Sequence, residues 1–257
     1  MSAESPEEPR EQQTQPAGLY LDYGYGSHVG LRRELNEDSS VITDTLFAVA
    51  DGMGGHEAGE VASALAVQTL ADGWNRVEGR VTRDEIQTFL AEADQRIREA
   101  TDSKAGTTVS GALLADQGEG LNWIVFNIGD SRTYLFEDAR LQQLSRDHSQ
   151  VQDMFESGLI SAEELPTHPQ RNVITRALGA GDMWDADYFI SPVRAGQRLM
   201  ICSDGLSGEL NDSEIERILG AGRNAQDTVD WLIHQALRSG GRDNVTVVVV
   251  DVQEQVV

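Results

Sequence analysis

The sequence predicts an α+β fold in which two antiparallel β-sheets pack as a sandwich between two pairs of helices, giving layers in the order α-β-β-α. Two patterns indicate it. Segments rich in Val, Ile, Tyr and Phe occur in runs, which favours separate sheet and helix layers over βαβ units. Helical segments with one apolar face occur as two pairs, and a sandwich flanked by those pairs would bury every apolar face.

Strands are expected where β-branched and aromatic residues are bounded by turn-forming residues. The expected strands are 19–28, 40–50, 107–115, 121–136, 185–190, 197–203 and 245–252. The expected helices are 57–73 with 83–101, and 212–219 with 226–238. Thr82 and Glu85 are spaced as a capping box, in which each side chain satisfies a free backbone N–H at the start of a helix. The apolar stripe of the first helix is expected to contain Ala58, Val61, Ala62, Leu65 and Thr69.

Length and composition indicate one globular domain. Of the 257 residues, 39% are hydrophobic, which is enough for a substantial core, and no low-complexity linker or repeat divides the chain. Residues 1–18 are polar, with several acids and three prolines, and are expected to form a disordered tail. The domain is therefore expected to span 19–257.

Charge and cysteine content argue against several classes of protein. Acidic residues outnumber basic ones 43 to 20, and a formal net charge of −23 argues against a nucleic-acid or membrane partner. No apolar stretch reaches the ~18 residues that a membrane helix needs, and the polar N-terminus is not a signal peptide. Cys202 is the single cysteine, so no intrachain disulfide can form, which fits a cytoplasmic location. It lies in an apolar run and is interpreted as a core residue.

Four aspartates stand at the ends of hydrophobic runs. Asp51 closes LFAVADG, Asp204 closes LMICSDG, Asp243 opens DNVTVVVV, and Asp38 opens DSSVI. A strand end can fix a carboxylate, and a following glycine lets the backbone approach a ligand closely. Oxygen ligands of this kind suit hard cations such as Mg²⁺ and Mn²⁺. These strand ends are therefore predicted to converge on a divalent-metal centre.

Two clusters around these aspartates have simpler interpretations when each is taken alone. The NED at 36–38 could be a turn closed by the Asn side chain, and the DGMGG at 51–55 could be a flexible hinge. The second cluster is not a phosphate-binding P-loop, because no Gly-Lys-Ser/Thr follows it.

Eight motifs taken together are more specific than any one of them. In chain order they are R-x-x-NED, DGMGGH-x-AGE, GTT, NIGDSR, RDHS, HPQRNVITRALG, CSDG and RDNVTVVVV. With this order and spacing the chain resembles the PPM family, the type-2C metal-dependent serine/threonine protein phosphatases, and most closely their bacterial single-domain branch. The resemblance covers about residues 19–252, and it implies the same fold of two sheets between helix pairs.

The resemblance implies a metal-binding role for five residues. Asp51 would bridge two metal ions, and the carbonyl of Gly52 would bind the first. Asp204 and Asp243 would complete the second site. Asp130 would share with Asp204 a weaker third ion found in bacterial relatives.

It also implies residues that act around the metal ions. Glu37 and Asp38 would hydrogen-bond the water molecules on the ions, so that Asp38 takes part in catalysis, and Asn244 would belong to the same outer group. Arg33 would grip the substrate phosphate, because its planar fork matches two phosphate oxygens.

The activity implied is hydrolysis of phosphoserine and phosphothreonine in proteins, reversing a bacterial Hanks-type kinase. Two Mn²⁺ or Mg²⁺ ions would hold a bridging water or hydroxide that attacks phosphorus directly. No phosphoenzyme forms on this route, so neither Cys202 nor Ser203 would be a nucleophile. The partners implied are phosphorylated protein substrates and a cognate serine/threonine kinase, and we expect a monomer.

The general acid is left open by the sequence. Many eukaryotic relatives have DGH where this chain has DGM, so Met53 replaces the histidine proposed to protonate the leaving group. His56 lies three residues later and could serve, although capping or loop packing would also explain it. A metal-bound water could donate the proton instead.

Segment 148–178 matches the family's flap beside the active site, which would select substrates. Within this flap His148 is expected to be structural, and His168 is expected to touch the phosphopeptide.

Two other hypotheses about the function stay open. A binding module without activity would also need this fold, although every expected metal position keeps its acid. A phosphatase acting on regulators of sigma factors or of a secretion apparatus would have the same catalytic centre.

Overall fold

The structure is a computed structural model, and it describes residues 18–55, 58–77, 80–116, 118, 120–181 and 184–254. The predicted tail lies outside the described residues, apart from Gly18. The strands are β1 (Leu19–His28), β2 (Asp38–Ile42), β3 (Leu46–Gly54), β4 (Ala105–Thr107), β5 (Val109–Asp116), β6 (Leu121–Ile128), β7 (Arg132–Glu137), β8 (Arg140–Gln143), β9 (Asp187–Pro192), β10 (Arg198–Cys202) and β11 (Val245–Glu254). The helices are α1 (Ala58–Arg76), α2 (Arg83–Thr101), α3 (Gln150–Glu156), α4 (Asp204–Ser207), α5 (Asp212–Leu219) and α6 (Ala225–Ser239), with a 3₁₀ turn at Leu165–Thr167.

The strands form two antiparallel sheets. One has the order β1-β11-β10-β7-β8, and the other has the order β2-β3-β5-β6-β9, with β4 paired to the end of β3. Helices α1 and α2 pack on the second sheet, and α5 and α6 pack on the first. The predicted α-β-β-α sandwich is therefore confirmed.

A core lies between the two sheets. Among the described residues, its side chains come from strands and from the residues at strand ends. Phe47 and Trp123 meet edge to face there, with ring centroids 6.3 Å apart. The buried residues of this layer are Phe47, Val49, Ala112, Trp123, Val125, Leu135, Leu199, Ile201, Val248, Val250 and Val252. Alternate residues of β3, β10 and β11 face this layer, and their neighbours face the helices.

The expected strand at 40–50 is two strands instead of one. A turn at Thr43–Leu46 separates β2 from β3, and Thr43 holds it because its hydroxyl accepts the backbone N–H of Leu46 at 2.8 Å. The sequence Thr-Asp-Thr favours a turn, but its β-branched threonines also favour a strand, so one continuous strand was predicted. The consequence is functional, since the hairpin places Asp38 directly opposite Asp51.

The expected strand at 121–136 is also two strands, and they lie in different sheets. β6 ends at Ile128 and β7 begins at Arg132, in the other layer. Gly129 sits between them at φ +94°, a conformation that side chains disfavour, and so lets the chain cross over. Asp130 is left at the crossing point.

The extents of the helices were predicted closely, and the buried face of α1 was predicted in part, since Ala62 and Thr69 are buried and Ala58 and Leu65 pack against the core. Val61 is 41% exposed, whereas the residues that α1 buries are Gly59, Ala62, Ser63, Ala66, Thr69, Leu70 and Gly73. Small residues are required because the partners lie so close: a Cβ on Gly73 would stand 2.5 Å from the Phe89 ring of α2. The Thr82–Glu85 capping box is present, and α2 buries the regularly spaced Ile86, Phe89, Leu90, Ala93 and Ile97. Among the described helices none is both long and apolar enough to cross a bilayer.

A buried arginine ties the α5–α6 connection to the first sheet. Arg198 in β10 forms a two-pronged salt bridge with Asp251 at 2.6 and 2.7 Å. The same guanidinium donates to the carbonyl oxygens of Leu219 and Arg223 at the two ends of the connection. Both charged side chains are largely buried, so each ionised group is stabilised mainly by its partner and not by water.

Replacing this arginine should destabilise the fold. We expect Arg198→Ala to lower the free energy of unfolding by about 3–5 kcal/mol, because Asp251 is left buried without its partner. Urea denaturation measures the change. Arg80→Ala, which breaks the exposed pair with Asp116, is the control and should leave the midpoint unchanged. Equal midpoints for the two variants would contradict the assigned role of Arg198.

Candidate metal centre

Five of the six predicted acids line one cavity of about 320 Å³ at the end of the sandwich, and Asp38 is not among its described lining residues. Its lining residues among those described are Arg33, Glu37, Asp51, Gly52, Met53, Gly54, Thr108, Asp130, Asn172, Ile174, Asp204, Asp243 and Asn244. Both sheets contribute, since Asp51 lies in β3, while Asp204 follows β10 and Asp243 precedes β11. Five acids therefore surround a space in which Arg33 is the only described lining cation.

Asp51 is held through its backbone. Its N–H donates to the Thr108 hydroxyl at 3.1 Å, and its carbonyl oxygen accepts from the Thr107 hydroxyl and from the Thr108 N–H, each at 2.9 Å. These two threonines belong to the GTT motif, and their role as backbone supports of Asp51 becomes visible only in the fold. Because backbone bonds fix the strand end, the Asp51 carboxylate is left for the cavity.

Gly52 is required by close packing. A Cβ at this position would lie 2.1 Å from the carbonyl oxygen of Gly59 at the start of α1 and 2.6 Å from that of Glu37. The Gly52 N–H also donates to the Glu37 carbonyl oxygen at 3.0 Å. No side chain would fit without moving the backbone, so the glycine allows β3, α1 and the Glu37 loop to meet beside the cavity.

The carboxylates disfavour one another's charge. Burial raises the pKa of Asp51 well above its usual range, and the nearby charges of Asp38 and Asp204 raise it further. Burial and then Asp204 do the same for the pKa of Asp130. Burial raises the pKa of Asp204 and the charge of Asp243 raises it further, while a hydrogen bond between its carboxyl group and that of Asp51 lowers it. Positive charge in the cavity would offset this repulsion and stabilise the ionised carboxylates.

Asp38 is buried next to this cluster, and burial raises its pKa to about 7. One of its oxygens, Oδ1, has no hydrogen-bond partner among the described residues. The NED turn is present as well, since the Asn36 side chain accepts the Asp38 N–H at 3.2 Å. The simple interpretation of this motif and the functional one therefore apply to the same residues.

Divalent cations fit this donor set. The acids offer hard oxygen ligands, their charges repel without a cation, and Asp38 Oδ1 is an orphaned acceptor. Among the described residues no three His, Cys, Asp or Glu side chains form a ready-made ligand set around one point.

Arg33 and Asn244 make side-chain contacts that were not predicted from the sequence. Arg33 donates to Asp243 Oδ2 at 2.8 Å and so offsets the charge of a predicted metal ligand. The Asn244 side chain accepts the Glu37 N–H at 2.8 Å and donates to the carbonyl oxygens of Val29 and Leu35 at 3.0 and 2.9 Å. Asn244 thereby fastens the whole Arg33 loop to the start of β11.

The Asp130 loop is braced from behind by His148. The ring accepts the Gly129 N–H through Nδ1 at 3.2 Å, so Nε2 carries the proton and faces Asp187 at 3.1 Å. Burial lowers the pKa of His148. Arg132 forms a two-pronged pair with Asp147 beside the same loop. His148 is fully buried, which agrees with the structural role expected for it.

Neither candidate nucleophile is free. Cys202 is buried, and burial raises the pKa of its thiol to about 12, so it is protonated at neutral pH. Ser203 is fully buried and donates its hydroxyl to Asp38 at 2.7 Å. The geometry agrees with a reaction that needs no covalent intermediate.

The flap closes one side of the cavity with residues that the sequence did not single out. Asn172 and Ile174 line it, whereas His168 is not among the described lining residues, and its ring accepts the Gln170 N–H. Contact between His168 and substrate therefore stays a prediction. Met53 lines the cavity and carries no transferable proton, while His56 lies outside the described residues.

Comparison with known proteins identifies the family of this chain. The family model described as protein phosphatase 2C matches residues 34–239. A serine/threonine phosphatase, stp, of Listeria monocytogenes is 36% identical over 236 residues, which cover 86% of this chain and 92% of that protein. The crystal structure of the Mycobacterium tuberculosis serine/threonine phosphatase PstP/Ppp superposes with a TM-score of 0.84 at 37% identity, covering 91% of this chain and 99% of that one.

A second structure bears on the metal. The catalytic domain of PstP in complex with two manganese ions matches with a TM-score of 0.80 at 36% identity, covering 91% of this chain and 99% of that chain. The chain therefore belongs to the protein phosphatase 2C family, which confirms the resemblance inferred from the eight motifs.

Charge repulsion within the cluster should be visible in stability. We expect Asp51→Asn to raise the melting temperature of the EDTA-treated protein by about 2–6 °C, because one repelling charge is removed and a domain of this size gains about 2–4 °C per kcal/mol. The same variant should lose the further rise that Mn²⁺ gives the unmodified protein. Differential scanning calorimetry with and without Mn²⁺ measures both effects.

Asp44→Asn in the turn between β2 and β3 is the matched control, since Asp44 is exposed and does not line the cavity. It should leave both melting temperatures unchanged. A lower melting temperature for Asp51→Asn in EDTA, together with a retained response to Mn²⁺, would count against a repulsive metal-binding cluster.

Proposed function

We propose that this chain is a protein serine/threonine phosphatase that hydrolyses phosphoserine and phosphothreonine with the help of two Mn²⁺ or Mg²⁺ ions. The observation that carries the proposal is the joint cavity, where acids from both sheets face one another beside Arg33. Family membership supports the activity, since the matched relatives are serine/threonine phosphatases.

Five residues would hold the ions. Asp51 and the Gly52 carbonyl would bind one, Asp51 with Asp204 and Asp243 would bind the other, and Asp130 would share a third with Asp204. When bound, such ions supply positive charge for a phosphate dianion and lower the pKa of a bound water molecule. This charge is what the repelling carboxylates lack.

The neighbouring side chains would bind and orient the reactants. Asp38 would accept a hydrogen bond from the attacking water through its free Oδ1, and Glu37 would orient a second water. Arg33 would bind two phosphate oxygens with its planar guanidinium. Because Arg33 pairs with Asp243 at 2.8 Å, binding of a cation at Asp243 would release the guanidinium toward phosphate.

The flap would decide which phosphoproteins enter. Asn172 offers a polar contact and Ile174 an apolar one on the cavity wall, and His168 would contact the peptide further out. The expected physiological setting is a cytoplasmic monomer that reverses the action of a serine/threonine kinase.

Metal dependence is the first test. Hydrolysis of a phosphothreonine peptide should require Mn²⁺ or Mg²⁺ and should stop in EDTA, and Asp204→Asn should lower kcat by at least about 100-fold because a ligand is lost. Phosphate release measures the rate. Asp22→Asn, which alters an acid away from the cavity, should keep full activity.

Two results would count against the proposed function. Activity that is unchanged in EDTA would remove the metal from the mechanism. Tight Mn²⁺ binding without any turnover on several phosphopeptides would instead support a binding module.

Arg33 should act mainly through phosphate binding. We expect Arg33→Ala to raise KM about 10- to 100-fold, because a charge-assisted hydrogen bond contributes about 1.5–3 kcal/mol. Arg33→Lys should recover only part of the loss, since an ammonium group cannot reproduce the two-pronged contact. Steady-state kinetics on a phosphopeptide measures both variants.

The adjacent Arg32 provides the control for Arg33. Its side chain is exposed and does not line the cavity, so Arg32→Ala should leave KM unchanged. Unaltered KM and kcat in Arg33→Ala would show that the guanidinium does not bind phosphate.

A further inference from the structure

A closed ring of hydrogen bonds runs behind Asp38. The Ser203 hydroxyl donates to Asp38 Oδ2 at 2.7 Å and accepts the Thr246 N–H at 2.9 Å. The Thr246 hydroxyl meets the Ser27 hydroxyl at 2.7 Å, which in turn accepts from the Asn36 amide at 2.8 Å. The side-chain oxygen of Asn36, Oδ1, accepts the Asp38 N–H at 3.2 Å and closes the ring. We call these five residues the Asp38 ring.

The ring holds one end of the carboxylate and leaves the other free. Ser203 and Thr246 are buried, at 0% and 1% exposure, so water does not compete for these bonds. Asp38 Oδ1 is buried without a partner in the part of the chain that the structure describes, which is a costly state for a carboxylate oxygen. Since Oδ2 is fixed by Ser203 and the Asp38 backbone by Asn36, the direction of Oδ1 is fixed as well.

Ser203 does not cap the helix that it precedes, which is the usual role of a serine at a helix N-terminus. Ser203 is the N-cap residue of the short helix α4, where a serine side chain usually accepts a backbone N–H of the first turn. Here it makes no side-chain cap bond. Its hydroxyl turns away from the helix and is given to Asp38, which lies 165 residues earlier in the chain.

We propose that Ser203, supported by Thr246, is a positioning residue that aims Asp38 Oδ1 at the attacking water. Ser203 touches neither substrate nor cation in this role, and it acts through Asp38 alone. The inference rests on the role of Asp38 in the proposed function. It explains why a hydroxyl, and not another core side chain, follows Cys202 in the CSDG motif.

Three variants separate positioning from packing. Ser203→Ala removes the hydroxyl and should lower kcat about 10- to 100-fold, as expected for loss of a residue that orients a metal-site group. KM for the phosphopeptide and the Kd for Mn²⁺, measured by calorimetry, should each change less than about threefold, since no ligand is lost. Ser203→Thr retains the hydroxyl and should recover most of kcat. Ser110→Ala removes another buried hydroxyl, which pairs with Thr133, and should behave as the unmodified protein.

A double-mutant cycle tests whether the effect passes through Asp38. Once Asp38→Asn has lowered kcat, adding Ser203→Ala should cause almost no further loss, because both changes disable the same group. A crystal structure of metal-free Ser203→Ala should show the Asp38 carboxylate rotated away from its direction in the unmodified protein. Where Ser203→Ala does not fold, Ser203→Cys gives the same test, because its thiol fills the same space but is a much weaker hydrogen-bond donor to Asp38.

Several outcomes would overturn the inference. An unchanged kcat in folded Ser203→Ala, or an equal further loss in the Asp38→Asn background, would show that Ser203 does not act through Asp38. A large change in Mn²⁺ affinity would place Ser203 in metal binding. Each of these requires an active unmodified protein, whereas absence of metal-dependent hydrolysis in that protein would overturn the proposed function itself.

Discussion

The repulsion among carboxylates at the end of the sandwich is the constraint on which the site depends. Asp38, Asp51, Asp130 and Asp204 each oppose the charge of at least one of the others, and burial adds to the cost. Folding energy from the three apolar layers must therefore hold together groups that would separate on their own. A site that stores repulsion in this way gains from any cation that enters it.

Uncharged partners hold the acids in place. Thr107 and Thr108 fix the backbone of Asp51, Asn244 fixes the loop of Glu37, and Ser203 fixes Asp38. A salt bridge at these points would neutralise the charges that a metal ion needs. Arg33 is the exception among the lining residues, and it binds Asp243 at the exposed rim of the cavity. Neutral hydrogen bonds thus supply position without removing charge.

The sequence predicted what depends on local periodicity and capping, and it failed where long-range contacts decide. The bounds of α2 and α5 followed from the Thr82 capping box and from apolar spacing. The buried face of α1 followed only in part, because Val61 is exposed and the close approach to α2 requires Gly73, which apolar spacing does not reveal. The strand at 121–136 was divided by Gly129, whose positive φ is visible only once two sheets must be joined. In each failure a contact distant in sequence outweighed a local preference.

The site shows the same division between what motifs and what packing determine. Family motifs located the acids, since ligand chemistry restricts which residue types can serve. They did not locate the bonds of Ser203 or Asn244, because serine and asparagine are also common in turns and caps, and only the fold decides which bond they make. The flap residues Asn172 and Ile174 were missed for a related reason, since a cavity wall requires shape and not a fixed chemical group. Chemistry therefore constrains the reacting groups in sequence, while the residues that aim them are constrained by three-dimensional contacts.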